Sequence, residues 1–194
     1  LTPAGAPTVF WDLEGVSGHP VRTTISEMGP LVFSRLLDLN DTQESVLSLA
    51  FSVADKEGLL LLDVADLESL LTYLSENRKV LSETFGNLSE ATLSTIRRKV
   101  VELKSRGGDK LFGEPALQLS DLLHCDLNGA GVVNILDARR VVEDAKAYTS
   151  FLLWLMSELF EQLEEVGDRE KPKLVMFFDE AHLLFNDAPR VVVE

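Results

Sequence analysis

Near the carboxyl end of the chain stands a string with mechanistic content, Lys173-Leu-Val-Met-Phe-Phe-Asp179-Glu180-Ala181-His182. The apolar run Leu174 to Phe178 predicts a central, buried β-strand, and two acids follow where it ends. In open α/β sheets, ligands sit beyond the carboxyl ends of the strands, which is where a nucleotide phosphate and its metal would be met. An Asp at that point can hold Mg2+, commonly through water, and an adjacent Glu can orient and deprotonate a water that attacks a γ-phosphate. Asp179 is therefore the candidate metal ligand and Glu180 the candidate catalytic base, with a nucleotide as substrate and Mg2+ as cofactor. The same pair also suits the first turn of a following helix, where carboxylates cap free N–H groups and offset the helix dipole. His182 reads as a helix-start residue, packed or hydrogen-bonded to a neighbouring strand, rather than as a proton donor.

Such a site needs a complement. A loop of the form G-x-x-x-x-G-K-[ST] would supply the amides and the Lys that cradle the β and γ phosphates, and the sequence contains none. Gly107-Gly108-Asp109-Lys110 is the nearest string, but it lacks the spacing, the hydroxyl after Lys and a preceding strand, and it reads as a helix terminator. Leu1 is not an initiator Met, and Val191-Val-Val-Glu194 ends the chain without a cap or stop signal. The expectation is an internal piece of a longer protein, with the phosphate loop encoded upstream.

The elements that must position these residues follow from periodicity. Thr8 to Asp12 and Pro20 to Ile25 are β-branched and aromatic runs separated by Gly15, Ser17 and Gly18, which predicts strand, turn, strand. After Gly29-Pro30 the period becomes helical. Asp41 and Glu44 form an expected capping box ahead of Val46, Leu47, Ala50, Phe51 and Ala54, with an end near Gly58. Asp66 is expected to cap a second helix carrying Leu67, Leu70, Leu71 and Leu74, and Asn87 with Glu90 a third carrying Leu93, Ile96, Val100 and Leu103. From Val132 the pattern becomes strand (Val132 to Leu136), long helix (about Ala147 to Glu165) and strand (Lys173 to Phe178), a βαβ unit with parallel strands. The helix is apolar nearly all round at Phe151 to Met156, so its first turns are expected to be covered on two sides, while Glu161, Glu164 and Glu165 wet its end.

Composition bounds the function. With 45% hydrophobic and 26% charged residues the chain has globular proportions, not those of a disordered tail or a disulfide scaffold. Eighteen basic against 32 acidic residues give a net charge of −14, so most of this surface repels DNA and any nucleic-acid contact must be local or lie elsewhere in a longer chain. The single Cys125 cannot close an intramolecular disulfide, which fits a reducing compartment, and the expected location is the cytoplasm. The longest apolar run, Phe151 to Met156, falls far short of the roughly 20 residues a membrane span needs.

Several strings together resemble a known family: Val9-Phe-Trp-Asp12, Gly18-His-Pro-Val-Arg-Thr-Thr-Ile-Ser-Glu-Met-Gly-Pro30, Leu39-Asn-Asp-Thr-Gln43, Gly108-Asp-Lys-Leu-Phe-Gly-Glu-Pro115 and Phe177-Phe-Asp-Glu-Ala-His-Leu-Leu-Phe-Asn-Asp187. They resemble the bacterial HerA-like ATPases of the YjgR type, and the match covers most of the chain. The resemblance implies a P-loop ATPase of the HerA/FtsK branch, whose better-known members are hexameric motors, and a fold of class α/β: part of a RecA-like sheet interrupted by an all-helical insertion. It implies that residues 1–29 hold N-terminal strands of the ATPase core, 30–110 the insertion, and 111–194 the βαβ part with the Walker B strand. Asp179 and Glu180 match that family's Walker B Asp and catalytic Glu, while the phosphate loop and the sensor strand lie outside this chain. A ring would also need an arginine finger, for which Arg22, Arg97 and Arg98 are weak candidates.

Two other readings stand beside it. One is a non-catalytic interaction module, in which the helical block is active and the sheet is scaffold. The other is a superfamily 2 helicase, from Asp179-Glu-Ala-His182, although the phosphate loop expected upstream in that group is missing. Among lesser strings, Asp126-Leu-Asn128-Gly-Ala-Gly131 resembles the start of a calcium loop, but Ala130 and Asp137 occupy ligand positions wrongly, and a tight turn is favoured. Arg97, Arg98, Lys99, Lys104 and Arg106 form a basic cluster that reads as a solvated helix face. His19 and His124 are isolated.

Overall fold

The computed structural model describes residues 5–13, 15–85, 88–138, 145–163, 167 and 170–179. It is a mixed α/β structure. Strands β1 (Thr8–Asp12) and β2 (His19–Pro20) precede helices α1 (Ile25–Leu36), α2 (Asp41–Glu57), α3 (Val64–Glu76), α4 (Arg78–Phe85) and α5 (Glu90–Ser105). A 3-10 turn at Gly108–Leu111 follows, then α6 (Leu119–Leu122), β3 (Val133–Asp137) and α7 (Ala145–Gln162). The chain forms two compact units, one of Leu1–Val21 with Leu117–Glu194 and one of Arg22–Ala116.

The first unit is built on a three-stranded sheet of order β2-β1-β3 in which both pairings are parallel. Thr8 to Asp12 forms a strand as its β-branched and aromatic residues predict, paired in register with β3 from Thr8↔Val133 to Asp12↔Asp137. The Trp11 indole N–H donates to Asn134 Oδ1 at 2.8 Å, and Asn134 Nδ2 donates to the Leu122 carbonyl at 2.9 Å, so one polar chain ties both strands to α6. Helix α7 buries Tyr148, Phe151, Leu152, Trp154, Leu155 and Leu159. Its first turns are covered at Ala147, Tyr148, Phe151 and Leu152, while further along Met156 is 44% and Phe160 88% exposed.

Two strand expectations are corrected. Of the second run only Pro20 joins the sheet, in β2, and Thr23 makes an isolated bridge, because Thr24 and Glu27 form a reciprocal capping box that starts α1 at Ile25. The β-branched Thr-Thr-Ile string is thus claimed by a helix start. Leu174 to Phe178 is no strand: it forms no ladder, and Val175 is 58% and Phe177 93% exposed. Apolar residues of high strand propensity still need a neighbouring strand to pair with, and among the described residues none pairs with this segment.

The second unit is helical, with α2 and α3 packed against α5 and α1 against α2. Its core is Phe33, Leu47, Leu67, Leu71, Leu74, Leu93, Ile96 and Val100, all fully buried. Each such side chain contributes about 1.5–3 kcal/mol by leaving water. Pro30 lies inside α1, and Gly29 before it takes φ +73°, which kinks that helix into two short pieces. The capping residues differ from expectation by a few positions. Asn40, not Asp41, caps α2: Gln43 N–H donates to Asn40 Oδ1 at 3.0 Å, and Gln43 Oε1 accepts from Asn40 N–H at 3.1 Å. Asp63 caps α3 by accepting from Ala65 N–H and Asp66 N–H, while Asp66 returns to Asp63 N–H. Helix α5 starts at Glu90 after Ser89, which makes no side-chain cap bond, and the Glu90 carboxylate instead accepts from Ser75 Oγ and Arg78 Nη1. Asn87 lies outside the described residues.

These assignments separate by mutation. Asn40→Ala is expected to lower the stability of the helical unit by about 1 kcal/mol, as loss of an N-cap does, whereas Asp41→Ala shifts it by a few tenths. Urea denaturation followed by circular dichroism reads both, and the reverse order would return the cap to Asp41.

The base of the helical unit is a clasp. Thr23 N–H donates to the Leu111 carbonyl at 2.9 Å, Gly113 N–H to the Thr23 carbonyl at 3.0 Å, and Arg22 Nη1 to the Glu114 carbonyl at 3.0 Å. Thr23 and Phe112 form a parallel bridge, and the Phe112 ring meets Phe33 edge-on at 5.3 Å. The first and last residues of the unit therefore hold each other.

Candidate functional site

Because all three strands are parallel, their carboxyl ends share one edge of the sheet, with Asp12 the register partner of both Asp137 and Pro20. This is the edge at which open α/β sheets meet ligands. Asp12 is 7% exposed, and its Oδ2 accepts from Val16 N–H at 2.8 Å and Ser17 N–H at 2.7 Å. Its backbone carbonyl accepts from Gly15 N–H at 3.2 Å and Val21 N–H at 3.1 Å. Gly18 closes the loop against β1 so tightly that a Cβ there would stand 2.5 Å from the Phe10 carbonyl oxygen. The ring of His19, exposed, tilts against Trp11 at 5.8 Å.

Asp179 sits in an exposed turn after the extended apolar segment. Glu180 and His182 lie outside the described residues, so the structure does not report on the pairing of the two acids. Among the described residues no group of three or more His, Cys, Asp or Glu side chains could hold a metal ion. A single exposed carboxylate still suits Mg2+, which keeps several waters and takes one or two protein carboxylates together with substrate phosphates. That donor set makes Asp179 a fitting ligand for a phosphate-bound Mg2+.

The other candidates take structural roles. Gly107, at φ +78°, follows Arg106 at the end of α5, the terminator expected of Gly107-Gly108. Arg97 Nη2 donates to the Leu71 carbonyl at 2.8 Å and Lys104 Nζ to Glu68 at 2.9 Å, so two cations of the basic cluster tie α5 to α3. The Glu68 hydrogen bond and charge hold the Lys104 ammonium above its usual pKa. Arg22 is engaged with the Glu114 carbonyl. The calcium-like string is a turn: Asp126 Oδ1 accepts from Asn128 N–H and Ala130 N–H, with Gly129 at φ +79°. The Ala130 amide, with help from Asn128, holds the Asp126 carboxyl below its ordinary range.

Sequence reasoning overlooked Asp12. Its signal was available as an Asp closing a strand immediately before the small residues Gly15, Ser17 and Gly18, the composition of a loop that wraps a carboxylate. Among the described residues no helix is long and apolar enough to cross a membrane. The family model for the helicase HerA-like C-terminal region matches residues 1–194. No curated protein and no solved structure matches the chain.

Proposed function

The chain belongs to the helicase HerA-like C-terminal family, and from that premise we propose that the full-length protein is an ATP-hydrolysing motor to which this chain contributes the acids of the active site. The observation that carries the reading is the family match over residues 1–194 together with Asp179-Glu180 following an apolar run. Asp179 holds the water shell of Mg2+ and Glu180 orients the attacking water and takes its proton. When bound there, Mg2+ would supply positive charge against the transferred phosphoryl group. In this reading the sheet unit is part of the ATPase core and the Arg22–Ala116 unit is an insertion in it. The motor works as a homo-oligomeric ring in the cytoplasm. DNA, where it is the track, is met by other parts of the protein, because a net charge of −14 repels it here.

The proposal is tested first on this chain alone. Lacking a G-x-x-x-x-G-K-[ST] loop, it has no convergent amides or Lys for the phosphates, and calorimetry is expected to find weak or no binding of Mg-ATP. A micromolar dissociation constant would mean that the nucleotide sits elsewhere than this reading has it. The full-length protein is expected to hydrolyse ATP only with Mg2+ present, so that chelation by EDTA abolishes turnover. A competing reading, a non-catalytic interaction module, draws on the helical unit being compact by itself, and it predicts no hydrolysis at all.

A further inference from the structure

We infer that Asp12 is a positioning residue of the nucleotide edge, its carboxylate holding residues 15–18 as a fixed rim at the carboxyl end of β1. The inference rests on the ATPase reading above. Neighbouring parallel strands ordinarily need a crossover of about a dozen residues or more. Here β1 ends at Asp12 and β2 begins at His19, so the chain turns out of the sheet and straight back. That path strands amides that no ladder can satisfy. Asp12 collects three of them, Val16 and Ser17 on Oδ2 and Gly15 on its carbonyl, which also takes the ladder bond from Val21 N–H. Bonds to a carboxylate are roughly twice as strong as neutral ones, and at 7% exposure little water competes for them. Gly18 is the steric half of the device, since a Cβ there would meet the Phe10 carbonyl oxygen at 2.5 Å. Val16 and Ser17 are exposed in the loop that leaves the carboxyl end of β1, the edge of the sheet where a ligand is met. A loop pinned this way presents a fixed surface and loses no entropy when a ligand docks.

The test is ATP hydrolysis by the full-length protein, with kcat and KM measured well below the melting temperature of every variant used. Asp12→Ala removes the acceptor. Asp12→Asn retains one oxygen that can accept from both Val16 and Ser17. Gly18→Ala keeps the carboxylate but displaces the loop. The expected result is a fall in kcat/KM of about tenfold or more for Asp12→Ala and Gly18→Ala, both folded by circular dichroism, because small misplacements at a site are costly. Asp12→Asn should stay within about threefold of the wild type, since the hydrogen bonds that position the loop survive. If Asp12→Ala fails to fold, Gly18→Ala decides. Folded variants with lowered melting temperature and wild-type kcat/KM would make Asp12 a pin of the fold alone, and a tenfold loss in Asp12→Asn would likewise overturn positioning by hydrogen bonds. A wild-type protein without Glu180-dependent hydrolysis would instead remove the ATPase reading and this inference with it.

Discussion

In the full-length protein, Glu180→Gln is expected to keep nucleotide binding and to lose about 100-fold or more in kcat, the share a positioned general base commonly supplies. Gln holds a water in place but cannot take its proton. Asp179→Asn should behave differently, weakening Mg2+-dependent ATP affinity as well as turnover, because a neutral amide is a poorer ligand for a hard cation. The alternative is that these acids serve only as caps at the start of the next helix. It predicts that either change shifts stability by about 1 kcal/mol and leaves hydrolysis nearly intact. Measuring kcat, ATP affinity and melting temperature on both variants separates the two accounts. Full turnover in Glu180→Gln would remove the catalytic assignment, and the family match alone would then be the ground for calling the protein an ATPase.

Phe33→Ala should be the most damaging single change in the helical unit. Phe33 is fully buried and meets Phe112 edge-on at 5.3 Å, so truncation removes core volume and an aromatic contact together. Phe-to-Ala changes in packed cores cost about 3–5 kcal/mol, and an aromatic pair adds about 0.5–1.5 kcal/mol beyond area. Against a usual domain stability of about 5–15 kcal/mol, much of the unit's margin is lost. Phe33→Leu should recover most of it by refilling the space. Urea unfolding of the helical unit gives the number, and a loss under about 1 kcal/mol for Phe33→Ala would mean that the site collapses around the gap or that Phe33 is not the centre of the core.

Local signals in the sequence carried over well, and signals that depend on a distant partner did not. Thr8 to Asp12 was readable because its residue types prefer a strand and its partner β3 is present. Leu174 to Phe178 has equally strong strand composition yet pairs with nothing among the described residues, and composition cannot report whether a partner is available. The apolar helix positions Leu67, Leu70, Leu71 and Leu74, and Leu93, Ile96, Val100 and Leu103, are all buried as their 3.6 periodicity requires. Caps were misplaced where two capping residues stand together or close by. Asn40 and Asp41 are both good caps, as are Asp63 and Asp66, and only backbone geometry selects between them. The proposed acids, Asp179 and Glu180, were visible as residue types at a motif spacing. Asp12 was overlooked although the small residues after it were legible, because the Gly15, Val16 and Ser17 amides converge on it only once the loop has formed.

The clasp at Thr23 and Phe112 has a consequence for how the protein can vary. Since the two ends of the helical unit are already fastened to each other, the rest of the chain experiences that unit as a closed loop whose closure its own hydrogen bonds maintain. Closure entropy grows only with the logarithm of length, by about 0.6 kcal/mol per doubling, so helices could be gained or lost between Thr23 and Leu111 with small effect on the sheet. Variation in chain length among related proteins should therefore collect inside the fastened loop, while the hydrogen-bonded pairs at its neck stay where they are.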